Sequence, residues 1–172
     1  MLKGTKVVLR EIKEEDIPLL HKYNNNWSIM KKMYFDVPFP KLIYEDFDRY
    51  KKISSNTPDK YSFVIETIHE SQLIGECRII DINWLSRIAR IGICIGNKSF
   101  HGKGYGTDTL NLLCTFIFDN MNMNKISLKV LSSNSNAINC YLKYGFIEEG
   151  YLKNEVFRDG EYLDIIIMSI FK

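Results

Sequence analysis

Three glycines alternate at positions 102, 104 and 106, and their flanks constrain the fold more than any other feature of the chain. Before them, Arg87 to Ile95 is a β-branched run that predicts a strand. After them, Leu110, Leu112, Leu113, Phe116 and Ile117 form an apolar helical stripe within Thr107 to Asp119. Strand, glycine turn and helix N-terminus together make an anion cradle. Glycine admits positive φ and lets a backbone approach a ligand closely. The first N–H groups of a helix have no partner inside it and favour negative charge. A P-loop is excluded, because no GxxxxGK followed by Ser or Thr is present. A dinucleotide fingerprint fits poorly, because the glycines run GxGxG and three predicted strands precede them. From this loop alone, a glycine turn without a ligand is the alternative.

The other segments place the loop in a sheet. Thr5 to Ile12 predicts a first strand. Glu14, Glu15 and Asp16 then precede a helix with Pro18 in its first turn, ended by Asn24-Asn25-Asn26. Trp27 to Pro40 is aromatic and Met-rich, and Tyr44 to Ile53 has helical spacing. These two segments predict a short helical excursion off the sheet, either a substrate lid or packing under a loop. Tyr61 to Thr67 and Gln72 to Ile82 predict a hairpin, and Lys125 to Leu131 alternates strictly as a strand. Asn136 to Tyr144 predicts a short helix closed by Gly145. Phe146 to Phe157 and Glu161 to Phe171 predict a last hairpin around Asp159-Gly160. The order implies a mixed α/β fold, with a mostly antiparallel sheet of about seven strands flanked by helices.

At 172 residues the chain suits one domain, residues 1–172. Its 23 Lys and Arg against 21 Asp and Glu leave a net charge of +2, so no nucleic-acid partner is expected. The apolar runs are too short for a bilayer and the N-terminus lacks a signal-peptide core, so no membrane association is expected. Cys77, Cys94, Cys114 and Cys140 are dispersed without a CxxC pair. That predicts reduced thiols in a cytoplasmic protein and no metal site.

His101-Gly102-Lys103-Gly104-Tyr105-Gly106-Thr107 resembles the pyrophosphate-binding motif of the GNAT acetyltransferase superfamily, which reads Gln or Arg, two residues, Gly, one residue, Gly or Ala. Gly104 and Gly106 match, and His101 stands where Gln or Arg is usual. Asn134, Ala137, Ile138, Tyr141, Lys143, Gly145 and Phe146 resemble the second signature of the same superfamily. The final hairpin, with Asp164 and Met168, resembles the branch of ribosomal-protein N-terminal acetyltransferases, close to polyamine acetyltransferases.

The resemblance implies acetyl-CoA as cosubstrate, no metal, a primary amine as acceptor and a homodimer. It implies that the two parallel strands flanking the glycine helix splay around the cofactor. Backbone N–H groups near Cys94 and Ile95 would hold the oxyanion, residues 101 to 107 the pyrophosphate, and Asn134 the pantetheine arm. Tyr141 would be the general acid, since a phenol is protonated at neutral pH and can donate to the leaving sulfur. Related enzymes often carry a Glu before the Ile-Gly of the fourth strand, and here that residue is Arg90, which cannot accept a proton. Glu76, Asp81 and His21 remain as candidate bases, beside a water relay or an amine that arrives neutral. Trp27, Tyr34, Phe35, Glu76 and Asp81 are the candidate acceptor residues. The acceptor itself stays open among a protein N-terminus, a polyamine, an aminosugar and another small amine. A non-catalytic acyl-CoA sensor on the same fold is the alternative function.

Overall fold

A computed structural model describes residues 1–53 and 60–172. Among these residues, eight strands form one sheet. They are β1 (Leu2–Lys3), β2 (Val7–Arg10), β3 (Tyr61–Thr67), β4 (Leu73–Asn83), β5 (Ile88–Ile95), β6 (Lys125–Leu131), β7 (Ile147–Arg158) and β8 (Glu161–Phe171). Their spatial order is β1-β2-β3-β4-β5-β6-β8-β7. Every neighbouring pair is antiparallel except β5 and β6, which are parallel. The count exceeds the expected seven by β1, a two-residue edge piece too short to carry an alternation signal.

Among the described residues there are five α-helices: α1 (Ile17–Asn24), α2 (Trp27–Met33), α3 (Ile43–Ile53), α4 (Tyr105–Thr115) and α5 (Ser135–Tyr144). α4 continues into a wider π turn at Phe116–Asn120. The expected helical excursion is present as α2 and α3, and α2 is capped by Asn26, whose Oδ1 accepts the Ser28 N–H at 3.1 Å.

Adjacent strand residues point to opposite faces. On β3, Ile65 joins the main core, where Leu110, Leu113 and Ile117 of α4 meet Cys77, Ile79, Ile91, Ile126 and Leu128. Tyr141 and Tyr144 of α5 pack against the same core. Val64, its neighbour, joins the opposite core with Ile17 and Leu20 of α1, Tyr50 of α3 and Leu73. The sheet is thus covered by α4 and α5 on one side and by α1 and α3 on the other. None of the helices among the described residues is long and apolar enough to cross a membrane.

Candidate active site

The parallel pair opens into a cleft. β5 and β6 pair only from Ile88 with Lys125 to Arg90 with Ser127. β4 stays with β5 through Ile95, and β8 stays with β6 through Leu131. Beyond Arg90 and Ser127 the two strands therefore part, each held by its outer neighbour. The backbone of Ile91 to Ile95 is left as an edge facing the cleft, with polar groups open to an extended ligand.

The glycine loop forms one end of this cleft. Gly102 and Gly104 have φ of +70° and +85°, conformations in which a Cβ is strained. Gly104 caps α4 in the left-handed region, so the N–H groups of the first turn, Tyr105 to Thr107, point outward at the helix terminus. His101 does not face the cradle. Its Nε2 lies 2.7 Å from the carbonyl oxygen of Ile95, so the ring donates to the end of β5 and fastens the loop there. A cation that sequence reasoning missed stands near the cradle. Lys6 Nζ lies 5.6 Å from the centre of the Tyr105 ring, and its side chain runs along Gly104.

Asp108 sets this arrangement. Its carboxylate accepts the N–H groups of Lys6 and Val7 at 2.8 and 2.9 Å and the Thr5 hydroxyl at 2.9 Å. Burial alone would raise its pKa, but these donors more than offset that and hold it below the usual carboxylate value. The bonds join the first turn of α4 to β2 and bring Lys6 beside the loop.

Across the cleft, Asn134 occupies the N-cap position of α5 without a side-chain capping bond, which leaves its amide free of the helix. Gly145 closes α5 with φ of +115°. The N–H of Phe146 then returns to the Tyr141 carbonyl at 3.0 Å, and the two rings pack 5.7 Å apart. The Tyr141 pKa is raised, first by burial and then by the Cys140 and Cys94 thiols near it, so the phenol stays protonated. Burial pushes the Cys94 thiol up to about 12 as well. Lys103 and Lys143 are exposed.

The opposite face of the sheet holds a buried polar network. Glu76 is 1% exposed. Its Oε1 accepts Asn24 Nδ2 at 3.0 Å and its Oε2 accepts the Tyr50 hydroxyl at 3.0 Å. Arg78 and Arg49 approach it at 3.8 and 3.9 Å. Burial would raise the Glu76 pKa, but Arg78 and Arg49, with Asn24 and Tyr50, bring it below the ordinary value. Asp46, equally buried, meets His21 Nδ1 at 2.7 Å and Arg49 at 3.0 Å.

This network occupies two of the three candidate bases. Both oxygens of Glu76 accept bonds from protein donors. The Asn25 amide is oriented by the Lys41 backbone, accepting its N–H at 3.0 Å and donating to its carbonyl at 2.8 Å. Asn25 Nδ2 must then donate to His21 Nε2, 2.9 Å away, and Nδ1–H must donate to Asp46. The remaining lone pair of His21 is therefore engaged. Asp81 is exposed past an irregularity in β4 and pairs with Arg90 at 3.7 Å.

Of the acceptor candidates, Tyr34 and Glu76 share one region, since the Tyr34 phenol feels the charges of Arg49, Arg78, Asp46 and Glu76. Arg158 of the last hairpin donates to the carbonyls of Tyr34 and Asp36 and fixes that loop. Phe35 follows on the same loop, partly exposed. Trp27 lies on the surface, with Lys31 over its ring at 5.3 Å. Asn24, Arg49, Tyr50 and Asp108 were missed, because isolated polar residues far apart in sequence carry no motif.

A cleft between splayed parallel strands, a helix-terminal glycine cradle and a protonated phenol define an acyl-CoA-dependent transferase. The acetyltransferase (GNAT) domain family matches residues 6–147, and the chain belongs to that family. It is 33% identical to a spermidine N(1)-acetyltransferase of Vibrio cholerae, covering 97% of this chain and 94% of that protein. It is 32% identical to a spermidine N(1)-acetyltransferase of Escherichia coli K12, covering 96% and 86%. A crystal structure of the spermidine N-acetyltransferase from Vibrio cholerae in complex with CoA and spermine superimposes with a TM-score of 0.87, at 32% identity, covering 96% of this chain and 95% of that one. The chain is accordingly an N-acetyltransferase that uses acetyl-CoA.

Proposed function

We propose that the chain, as one acetyltransferase domain, acetylates the primary amine of a small aliphatic molecule, the kind of chemistry its spermidine-acetylating relatives perform. The observation that carries this reading is the Tyr141 phenol, kept protonated beside Cys94 at the cleft. The Ile91 to Ile95 edge and the Asn134 amide would hold the pantetheine arm, with the N–H groups of Cys94 and Ile95 receiving the oxyanion. Residues 102 to 107 would receive the pyrophosphate, with Lys6 adding a charge and His101 and Lys143 bracing the site.

The amine nitrogen attacks the thioester carbonyl, the tetrahedral oxyanion collapses, and the C–S bond breaks. Tyr141 gives its proton to the leaving sulfur. The proton released by the amine goes to solvent, because Glu76 and His21 are engaged within the protein. An acyl-CoA sensor would have no use for an acid at the sulfur.

The four thiols are free, which supports a cytoplasmic setting. Phe157 and Tyr162, their tilted rings 5.1 Å apart and exposed on the last hairpin, support a homodimer through that hairpin. The test is release of free CoA thiol from acetyl-CoA with spermidine, diamines, amino acids, N-terminal peptides and aminosugars. Turnover with small aliphatic amines is expected. Tight CoA binding with no turnover on any amine contradicts the reading.

A further inference from the structure

A cavity of about 630 Å³ lies between α3, β3 and β4. Arg49, Lys52, Lys60 and Arg78 line it against two carboxylates, Glu45 and Asp48. Its floor backs onto β5. Arg78 lies across the ladder from Gly92, the second residue after the point where β5 parts from β6. Ile80, which also lines the cavity, comes within 3.0 Å of where a Cβ on Gly92 would stand. Gly92 and Cys94 share a strand face about 7 Å apart, and Cys94 stands opposite the buried Glu76 on the neighbouring strand.

The charges facing this cavity are mainly cationic. The two carboxylates behind it, Glu76 and Asp46, are buried and turned to Asn24, Tyr50 and His21. They hold the guanidinium groups in place rather than meeting a ligand. Arg49 is fixed further by its bond to the Tyr50 hydroxyl at 2.6 Å, while its buried Nε has no hydrogen-bond partner among the described residues. Pre-positioned guanidinium groups match a carboxylate in geometry and charge.

We propose that this cavity is an anion subsite of the acceptor site. The preferred acceptors are aliphatic amines that also carry a carboxylate, in the manner of basic amino acids, rather than plain polyamines. The inference rests on the reading that a small aliphatic amine is the acceptor.

The test is kcat/KM on two matched pairs, lysine with 1,5-diaminopentane and ornithine with 1,4-diaminobutane, with spermidine as reference. Within each pair only the carboxylate differs. The expected result is about a tenfold advantage or more for the carboxylate member, seen mainly in KM. Arg78→Gln shrinks that ratio, and an unchanged KM for acetyl-CoA shows that the variant is folded. Lys60→Gln, at the exposed rim, shrinks it in the same direction. Diamines or spermidine turning over as well as their carboxylate counterparts, or better, overturns the anion subsite alone and leaves Glu45 and Asp48 as ammonium sites. No turnover on any amine overturns the underlying reading and this inference with it.

Discussion

The Tyr50 hydroxyl donates to Glu76 Oε2 at 3.0 Å, so the one carboxylate buried opposite Cys94 is bound to the protein rather than to an incoming amine. Glu76 is therefore structural. Glu76→Gln leaves Arg78 and Arg49 partly uncompensated and lowers stability by about 3 kcal/mol in urea titrations. The pH dependence of kcat/KM keeps its shape in the variant. A lost acidic limb with unchanged stability would assign Glu76 as the base instead.

Lys6 is expected to act on the cofactor alone. Lys6→Met removes a cation beside Gly104 and Tyr105. The KM for acetyl-CoA rises about fivefold, in line with one partly screened charge contact, and kcat is unchanged. The variant's KM also depends less on ionic strength. Initial rates at two salt concentrations check both statements.

Asp108 makes the join between β2 and α4 sensitive to acid. Its folded pKa lies below the unfolded value of about 3.9. The stabilisation is therefore complete above that value and is lost as the pH falls through the folded one. Asp108→Asn costs about 2 kcal/mol at pH 7, and the gap between the two proteins narrows below about pH 4. Urea midpoints at pH 7 and pH 3 measure this, and a gap independent of pH contradicts it.

The features legible in the sequence are those written locally. The glycine loop, Tyr141 with its helix closed by Gly145, and the last hairpin around Asp159-Gly160 all lie where their patterns put them. Lys125–Leu131 and Glu161–Phe171 match the expected strands end to end. The first strand is shorter than its pattern, Val7–Arg10, because the backbone of Thr5 and Lys6 is engaged by Asp108. That contact spans more than a hundred residues, so nothing near Asp108 announces it. The same holds for Glu76, whose partners Asn24 and Tyr50 come from two helices far from β4 in the chain. His101 matches the motif by position, yet its ring turns to the Ile95 carbonyl, a choice that only the folded loop defines.

The central claim is that Tyr141 protonates the leaving thiolate. The direct measurement is kcat for Tyr141→Phe with the best acceptor, beside the Kd for CoA. The Tyr141–Phe146 ring packing survives this substitution, so the fold and the cofactor site are kept. A fall in kcat of about a hundredfold, the worth of a positioned general acid, with CoA affinity unchanged, is the predicted result. An unchanged kcat would contradict the account.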